Sequence, residues 1–184
     1  MEKEINHIIK SYCESTALKI PKENWCFYRD EFKQRSEKYF RNLLKEKEFD
    51  FSALLLSAIS EIGGNAFDHN LGKFKESPGV CFYYNKRQVV LFDDGQGIKS
   101  SLSAAGIKCK NEQEYINKSM NEVVSGRAPE KRGNGLKLVK SVVEKLGIGF
   151  CLKSGQAIYL INLEGTSEVV QMISQCNNPS VLVY

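Results

Sequence analysis

The chain has 184 residues, of which 42% are hydrophobic and 26% are charged, enough to enclose a core in one compact domain. Its formal net charge of +4 comes from interleaved Lys and Glu residues without a run of one sign, which argues against nucleic-acid binding. Residues 1–12 do not resemble a signal peptide, and no apolar stretch approaches the roughly 20 residues that a membrane-spanning helix needs. We therefore expect a cytoplasmic protein.

The cysteines do not indicate a metal site or a disulfide framework. Six of them are scattered along the chain without a CxxC pair, and only His7 and His69 could add nitrogen ligands, so zinc is not expected. A chain without a signal sequence stays in a reducing compartment, where thiols remain free.

The first 50 residues carry two stretches in which apolar residues recur at helical spacing. The first covers 5–12 and the second covers 25–44, with Pro21 between them. The sequence therefore predicts that residues 1–50 form an N-terminal helical extension.

Residues 51–165 alternate between helical and strand-like spacing, which is typical of an α+β domain. Helical spacing is found at 52–69, from Asn111 onward and at 135–146. Strand-like runs are found at 80–84, 88–92, 150–153 and 157–163. We expect a two-layer sandwich with helices packed on one face of a mixed, mostly antiparallel sheet. Residues 166–184 are predicted to form a C-terminal tail that packs on this domain or extends it.

The longest polar segment covers residues 98–132 and contains one predicted helix, which starts at Asn111 with Glu114 in the capping-box position. Connections of this length are usually functional lids. Two cations of the segment, Arg127 and Arg132, could reach a phosphate, and reach slightly favours Arg127. We therefore predict a lid over residues 98–132.

The first candidate site residues lie on the predicted helix at 52–69. Glu61, Asn65 and His69 are spaced by four and share one side of it. A carboxylate there could act as a base and an amide oxygen could bind a hard cation, although a polar helix face explains the same pattern. The pair Gly63 and Gly64 favours a site, because glycines inside a helix cost about 1 kcal/mol each relative to alanine. His69 is better explained as a residue that ends the helix.

Two glycine turns complete the candidate site. The first, Asp93-Asp94-Gly95-Gln96-Gly97, follows an apolar strand, so that its first carboxylate leaves the sheet into a turn where backbone can approach a ligand. The second, Arg132-Gly133-Asn134-Gly135, precedes a helix whose free amides and positive dipole end suit a phosphate chain. Each turn by itself is also compatible with ordinary turn chemistry.

Taken together and in this order, the three motifs resemble those of the ATP-binding superfamily of gyrase, heat-shock chaperones, histidine kinases and mismatch-repair ATPases, called GHKL. The resemblance covers residues 52–163, with an N-box at 61–69, a first glycine box at 93–97 and a second at 133–138. Lys137 departs from the pattern, because the superfamily often has a third glycine there. Lys137 would crowd a phosphate or contact it.

The resemblance implies that the protein binds ATP with Mg²⁺ and assigns a role to each motif. Glu61 would be the general base, and Asn65 would hold the magnesium. Asp93 would accept a hydrogen bond from the adenine amino group, while Gly95 and Gly97 would leave room for the base and the ribose. The residues expected around the phosphates belong to the second glycine box and to the lid: Gly133, Asn134, Gly135, Leu136, Arg127 and Arg132.

As a stand-alone domain, the chain looks most like the anti-sigma-factor serine kinases. His7 lacks the neighbours of a phosphoacceptor histidine, so the output is expected to go to a regulatory partner protein. Two functions stay open: an enzyme that transfers the γ-phosphoryl group to a serine or threonine of the partner or hydrolyses ATP, and a nucleotide-gated protein-binding module with little turnover. A domain that has lost nucleotide binding is disfavoured by the retained motifs. Whether the N-terminal helices form a homodimer also stays open.

Overall fold

The computed structural model describes residues 52–68, 80–84, 89–93, 95–124, 133–175 and 181–183. The predicted N-terminal extension lies outside the described residues, and so do His69, Arg127 and Arg132. The helices of the described part are α1 (Ala53–Asp68), α2 (Gly97–Ala104), α3 (Glu112–Asn121), α4 (Gly135–Leu146) and α5 (Glu168–Ser174). Its strands are β1 (Val80–Tyr84), β2 (Val89–Asp93), β3 (Phe150–Ser154), β4 (Ala157–Ile161) and β5 (Val181–Val183).

The strands form one sheet in the order β1-β2-β5-β3-β4, in which every described pair is antiparallel. Two hairpins, β1–β2 and β3–β4, are joined through β5, which comes from the end of the chain. Leu182 of β5 lies opposite Leu91 of β2 on one side and Leu152 of β3 on the other. The predicted C-terminal tail therefore supplies a central strand of the sheet.

The main core lies between the sheet and a layer made chiefly by α1 and α4, which make their most extensive helix contact with each other. Alternate positions of β2 and β3 face this layer, since side chains in a strand point to opposite faces in turn. The sheet contributes Val89, Leu91, Phe150 and Leu152 to this core, and the helices contribute Ile59, Ile62, Val139 and Val143. Burial of one such side chain contributes about 1.5–3 kcal/mol. The predicted α+β architecture is confirmed.

The other positions of β2 and β3 are buried too. Cys151 and Lys153 are 0% exposed, and α5 contacts β3 with Val170 and Ile173 buried. Burial lowers the pKa of Lys153, whose ammonium group donates a hydrogen bond to the Gly155 carbonyl at 2.7 Å. Burial also raises the pKa of the free Cys151 thiol to about 12, so this thiol stays protonated at neutral pH.

Within residues 98–124, the described part of the predicted polar lid, the structure has two helices, α2 and α3, so the expectation of a single helix was wrong. Ile116 and Met120 of α3 are 0% exposed and belong to the main core, and Leu102 of α2 is also buried. A lid over the whole of 98–132 would have to remove these side chains from the core, at about 1.5–3 kcal/mol each. The buried side chains of α2 and α3 therefore argue against a lid that includes these two helices.

The predicted start of α3 is confirmed. The Asn111 side chain accepts a hydrogen bond from the Glu114 amide at 2.9 Å, and the Glu114 carboxylate accepts one from the Lys110 amide. The first bond satisfies one of the amides that a helix start leaves open, and the second reaches the residue before the N-cap instead of the Asn111 amide of a standard capping box. Among the helices described, none has both the length and the apolar composition to cross a membrane.

Candidate functional site

Helices α1 and α4 bring two of the sequence motifs into contact. A Cβ atom placed on Gly135, the first residue of α4, would lie 2.8 Å from Glu61 Oε2 and 3.5 Å from Asn65 Nδ2. A side chain at this position would displace the tip of the Glu61 carboxylate. The structure therefore joins Glu61, Asn65 and Gly135 at one place, although the first two are far from the third in sequence.

The start of α4 is not capped by any side chain in the described part of the chain. The N-cap residue, Asn134, has helical backbone angles, and only its carbonyl is used, accepting a hydrogen bond from the Leu138 amide at 2.8 Å. The amides of the first turn have no acceptor within the helix, as at any helix start. They lie at the positive end of the helix dipole, next to Glu61 and Asn65.

The charge of the first turn of α4 is the reverse of what a helix dipole favours. The turn contains no acidic residue and carries Lys137, whereas acidic residues are the ones that stabilise a helix start. An anion bound at this end would interact favourably with both the amides and the lysine. The observed composition therefore fits a phosphate site.

Gly133 packs against backbone instead of a side chain. A Cβ atom on Gly133 would lie 2.7 Å from the Val124 carbonyl oxygen and 2.8 Å from its carbon. The backbone of Val124, which follows α3, thus packs directly against Gly133 of the second glycine box. Leu136, the next predicted site residue, is half-buried and packs against the main core.

The first glycine turn begins at the end of β2. Asp93 is 4% exposed, and its Oδ1 accepts a hydrogen bond from the Gly95 amide at 2.9 Å. Gly97, at the other end of the turn, has φ +75°, a left-handed conformation that favours glycine. These contacts fix the orientation of the Asp93 carboxylate. They form a turn at the end of the sheet, as the sequence predicted.

A bond from β3 closes the far end of this turn. The N-cap residue of α2, Gln96, makes no side-chain cap, and the Ile98 amide instead donates to Ser154 Oγ at 2.9 Å. Ser154 is 5% exposed. Sequence reasoning missed this residue, because the bond joins positions 56 residues apart and no local motif indicates it.

Helix α3 is bonded at its start to the turn between β3 and β4 and at its end to α4. Near its start, Glu112 accepts a hydrogen bond from the Gln156 amide at 2.8 Å and lies 3.5 Å from the Lys99 ammonium. The backbone bond holds the pKa of Glu112 below its usual value, and the lysine charge adds to the effect. At its end, Asn121 accepts from the Lys140 ammonium of α4 at 2.6 Å.

An open cleft of about 590 Å³ lies beside α3. Its lining includes Lys108, Cys109, Lys110 and Lys118, and it contains none of the predicted site residues. Its lysines are accompanied by Glu114 and Glu122, so it does not present a strongly basic surface. Its position and composition give no support to a nucleotide site there.

The side chains near the start of α4 can be compared with the ligands that magnesium prefers. Among the described residues, no group of three His, Cys, Asp or Glu side chains could hold a metal ion. Glu61 and Asn65 supply a carboxylate and an amide next to the start of α4. Magnesium typically takes one or two protein oxygens and completes its coordination with phosphates and water. The donor set fits magnesium bound together with a nucleotide.

Comparison of this chain with protein-family models, with curated proteins and with solved structures finds no match. Neither a family nor the activity of a relative can therefore be assigned by similarity. The support for a function consists of the motif residues and of the contacts that join them.

Proposed function

We propose that this protein binds ATP with magnesium in a GHKL-type site. We propose further that it is a cytoplasmic regulatory protein that transfers the γ-phosphoryl group to a serine or threonine of a partner protein or hydrolyses ATP. The observation that carries the proposal is the meeting of Glu61 and Asn65 with Gly135 at the start of α4, where no side chain of the described residues caps the helix. Glu61, Asn65 and the helix-start amides would supply a base, a metal ligand and donors for phosphate.

The contact between Glu61 and the helix start supports a metal in the bound state. A phosphate at the first turn of α4 would lie near the Glu61 carboxylate, and two like charges about 4 Å apart repel by about 4 kcal/mol at an effective dielectric constant near 20. A divalent cation held by Glu61 and Asn65 would offset this repulsion. Magnesium, when bound, would also offset charge on the transferring group.

Asn65 would contribute its amide oxygen to that cation. The atom of Asn65 nearest to Gly135 is Nδ2, and rotation about the last side-chain bond exchanges this nitrogen with the oxygen. Asn65 is half-buried, so the amide is held at the edge of the core and not free in solvent. Its position suits a ligand that fixes where the cation lies.

Asp93 would recognise the adenine amino group. Its carboxylate is buried and oriented by the Gly95 amide, and a buried carboxylate that accepts from an amino group makes a strong, directional hydrogen bond. Gly95 is buried and Gly97 half-buried, so that the turn offers backbone instead of side chains to the base and ribose. The start of α4 would bind the phosphates.

Glu61 would take the proton from the attacking hydroxyl of the partner or of water. Its side chain is exposed, which leaves it accessible to a second substrate. Meanwhile the amides of Gly135, Leu136 and Lys137 would offset charge on the phosphates. Arg127 and Arg132, which lie outside the described residues, stay candidates for contacts with the γ-phosphate.

The test is calorimetric titration of the Asp93→Asn variant with ADP in the presence of magnesium. The asparagine still accepts from Gly95 through its oxygen but presents a donor to the adenine amino group, so we expect a loss of about 1.5–3 kcal/mol, which is about 10- to 150-fold in affinity. Asp94→Asn removes the neighbouring carboxylate and is the matched control. Equal affinity of Asp93→Asn and wild type, or absence of binding by wild type, would contradict the proposal.

A further inference from the structure

The start of α2 is bonded to a strand that is distant in sequence. Helix starts are usually capped by the side chain of their own N-cap residue, but Gln96 does not do this. The acceptor is the hydroxyl of Ser154, the last residue of β3, which lies 2.9 Å from the Ile98 amide. Ser154 is 5% exposed, so water competes little for this hydrogen bond.

This bond fixes one end of the turn that carries Asp93. The other end is held by the bond between Asp93 Oδ1 and the Gly95 amide at 2.9 Å. Only Gln96 and Gly97 lie between the bonded amides of Gly95 and Ile98, and Gly97 has φ +75°. With both ends held, the backbone that would face the base has little freedom to move.

Ser154 is itself held in place. It pairs with Ala157 at the end of the β3–β4 hairpin, and the turn between them is bonded to α3 through the Gln156 amide and Glu112 Oε2, 2.8 Å apart. A Cβ atom on Gly155 would lie 2.6 Å from the same oxygen. The hairpin end is therefore a rigid support and not a loose loop.

We propose that Ser154 is a positioning residue of the nucleotide site, whose hydroxyl holds the Ile98 amide and thereby keeps the turn between Asp93 and Gly97 in its binding conformation. The inference rests on the proposed function, since it concerns how the same site is shaped. Ile98 also packs against the main core. Loss of the hydroxyl is therefore expected to loosen the turn without removing α2.

The test compares three variants by calorimetric titration with Mg-ADP and by thermal unfolding. Ser154→Ala removes the acceptor, and one neutral hydrogen bond contributes about 0.5–1.5 kcal/mol, so affinity should fall about 2- to 13-fold. Ser154→Thr keeps the hydroxyl and should restore affinity. Ser119→Ala is the matched control, because Ser119 is also buried and its hydroxyl donates only to Ile116 within α3.

A second measurement separates positioning from general stability. Hydrogen exchange of the Ile98 amide, followed by NMR without nucleotide, should accelerate in Ser154→Ala but not in Ser119→Ala. If Ser154→Ala does not fold, Ser154→Cys, which substitutes a weak acceptor, takes its place with the same expectations.

The outcomes distinguish a failure of the role of Ser154 from a failure of the proposed nucleotide site. If wild type binds ADP and Ser154→Ala binds equally well, or if Ser119→Ala weakens binding as much, the role of Ser154 is overturned while the nucleotide site stands. If wild type does not bind ADP, the proposed function fails and the inference about Ser154 falls with it.

Discussion

The turn after Asp93 is bonded at the Gly95 and Ile98 amides, whereas the turn from Gly133 to Gly135 opens onto a helix start that no side chain of the described residues caps. The first is held by Asp93 and by Ser154 of a neighbouring strand. The second is braced by backbone at Gly133 and touches the side chains of Glu61 and Asn65 at Gly135. One turn is preformed, and the other leaves donors available.

This difference matches what the two ends of a nucleotide require. A flat base is recognised by shape and a few directional bonds, and a preformed turn avoids the entropic cost of ordering it during binding. Phosphates bring charge, and uncapped amides at a helix start provide donors that need no rearrangement. We infer that the first turn determines which base binds and the second determines how the phosphates are held.

The largest effect should follow from changing Glu61 beside the open turn. Glu61→Gln keeps the size of the side chain but cannot accept a proton, so phosphate release or transfer to a copurified partner should fall by about 10²- to 10⁴-fold. ADP binding should be retained, because the base and ribose are bound at the other turn and a neutral glutamine adds no repulsion toward the phosphates. The measurement is turnover and calorimetric affinity of both proteins side by side.

Two results would change this account of Glu61. If wild type turns over ATP and Glu61→Gln matches it, Glu61 is only a residue of the α1 surface. If wild type binds nucleotide but shows no turnover with any partner, the nucleotide-gated binding module becomes the better description, since the site would then bind nucleotide without reacting with it.

A smaller effect should distinguish the two glycines of the second turn. In Gly133→Ala the new methyl group would meet the Val124 backbone at 2.7 Å, which should destabilise the fold by about 1–3 kcal/mol. In Gly135→Ala it would meet only the tip of Glu61, and alanine is the better helix former by up to about 1 kcal/mol. Chemical denaturation should therefore show a loss for Gly133→Ala and none for Gly135→Ala.

Turnover should distinguish Gly133→Ala and Gly135→Ala in another way, since Gly135→Ala is the variant expected to keep its stability and lose activity. The displaced Glu61 carboxylate should reduce the activity of Gly135→Ala although its stability is retained. Full activity in Gly135→Ala would mean that Glu61 does not need its observed position. Equal stability of both variants would mean that Gly133 is not braced by the Val124 backbone.

Local patterns predicted much of the fold. Helix α4 has the predicted bounds, since its apolar stripe is regular and Gly147 ends it. Strand β1 also has the predicted bounds, and α1, β2, β3 and β4 differ from the predictions only at their ends. Asn111 caps α3 as its spacing with Glu114 indicated. In each of these elements the signal lies within a few neighbouring residues.

The features that sequence reasoning missed depend on distant contacts. Helix α2 has only two large apolar residues, Ile98 and Leu102, and its first turn is bonded by Ser154 of β3. Strand β5 has three residues, too few to indicate a place between β2 and β3. The meeting of Glu61 with Gly135 was implied only by resemblance, because spacing within α1 cannot show which helix packs against it.

The central claim is that the two turns are two ends of one nucleotide site. Titration of ¹⁵N-labelled protein with Mg-ADP tests it directly through the backbone amides of Gly95, Gly97, Gly133 and Gly135. If they are two ends of one site, signals from both turns shift and all fit one dissociation constant, with Ser119 as an unaffected reference in α3. Shifts confined to one turn, different dissociation constants for the two, or no shift in either would contradict it.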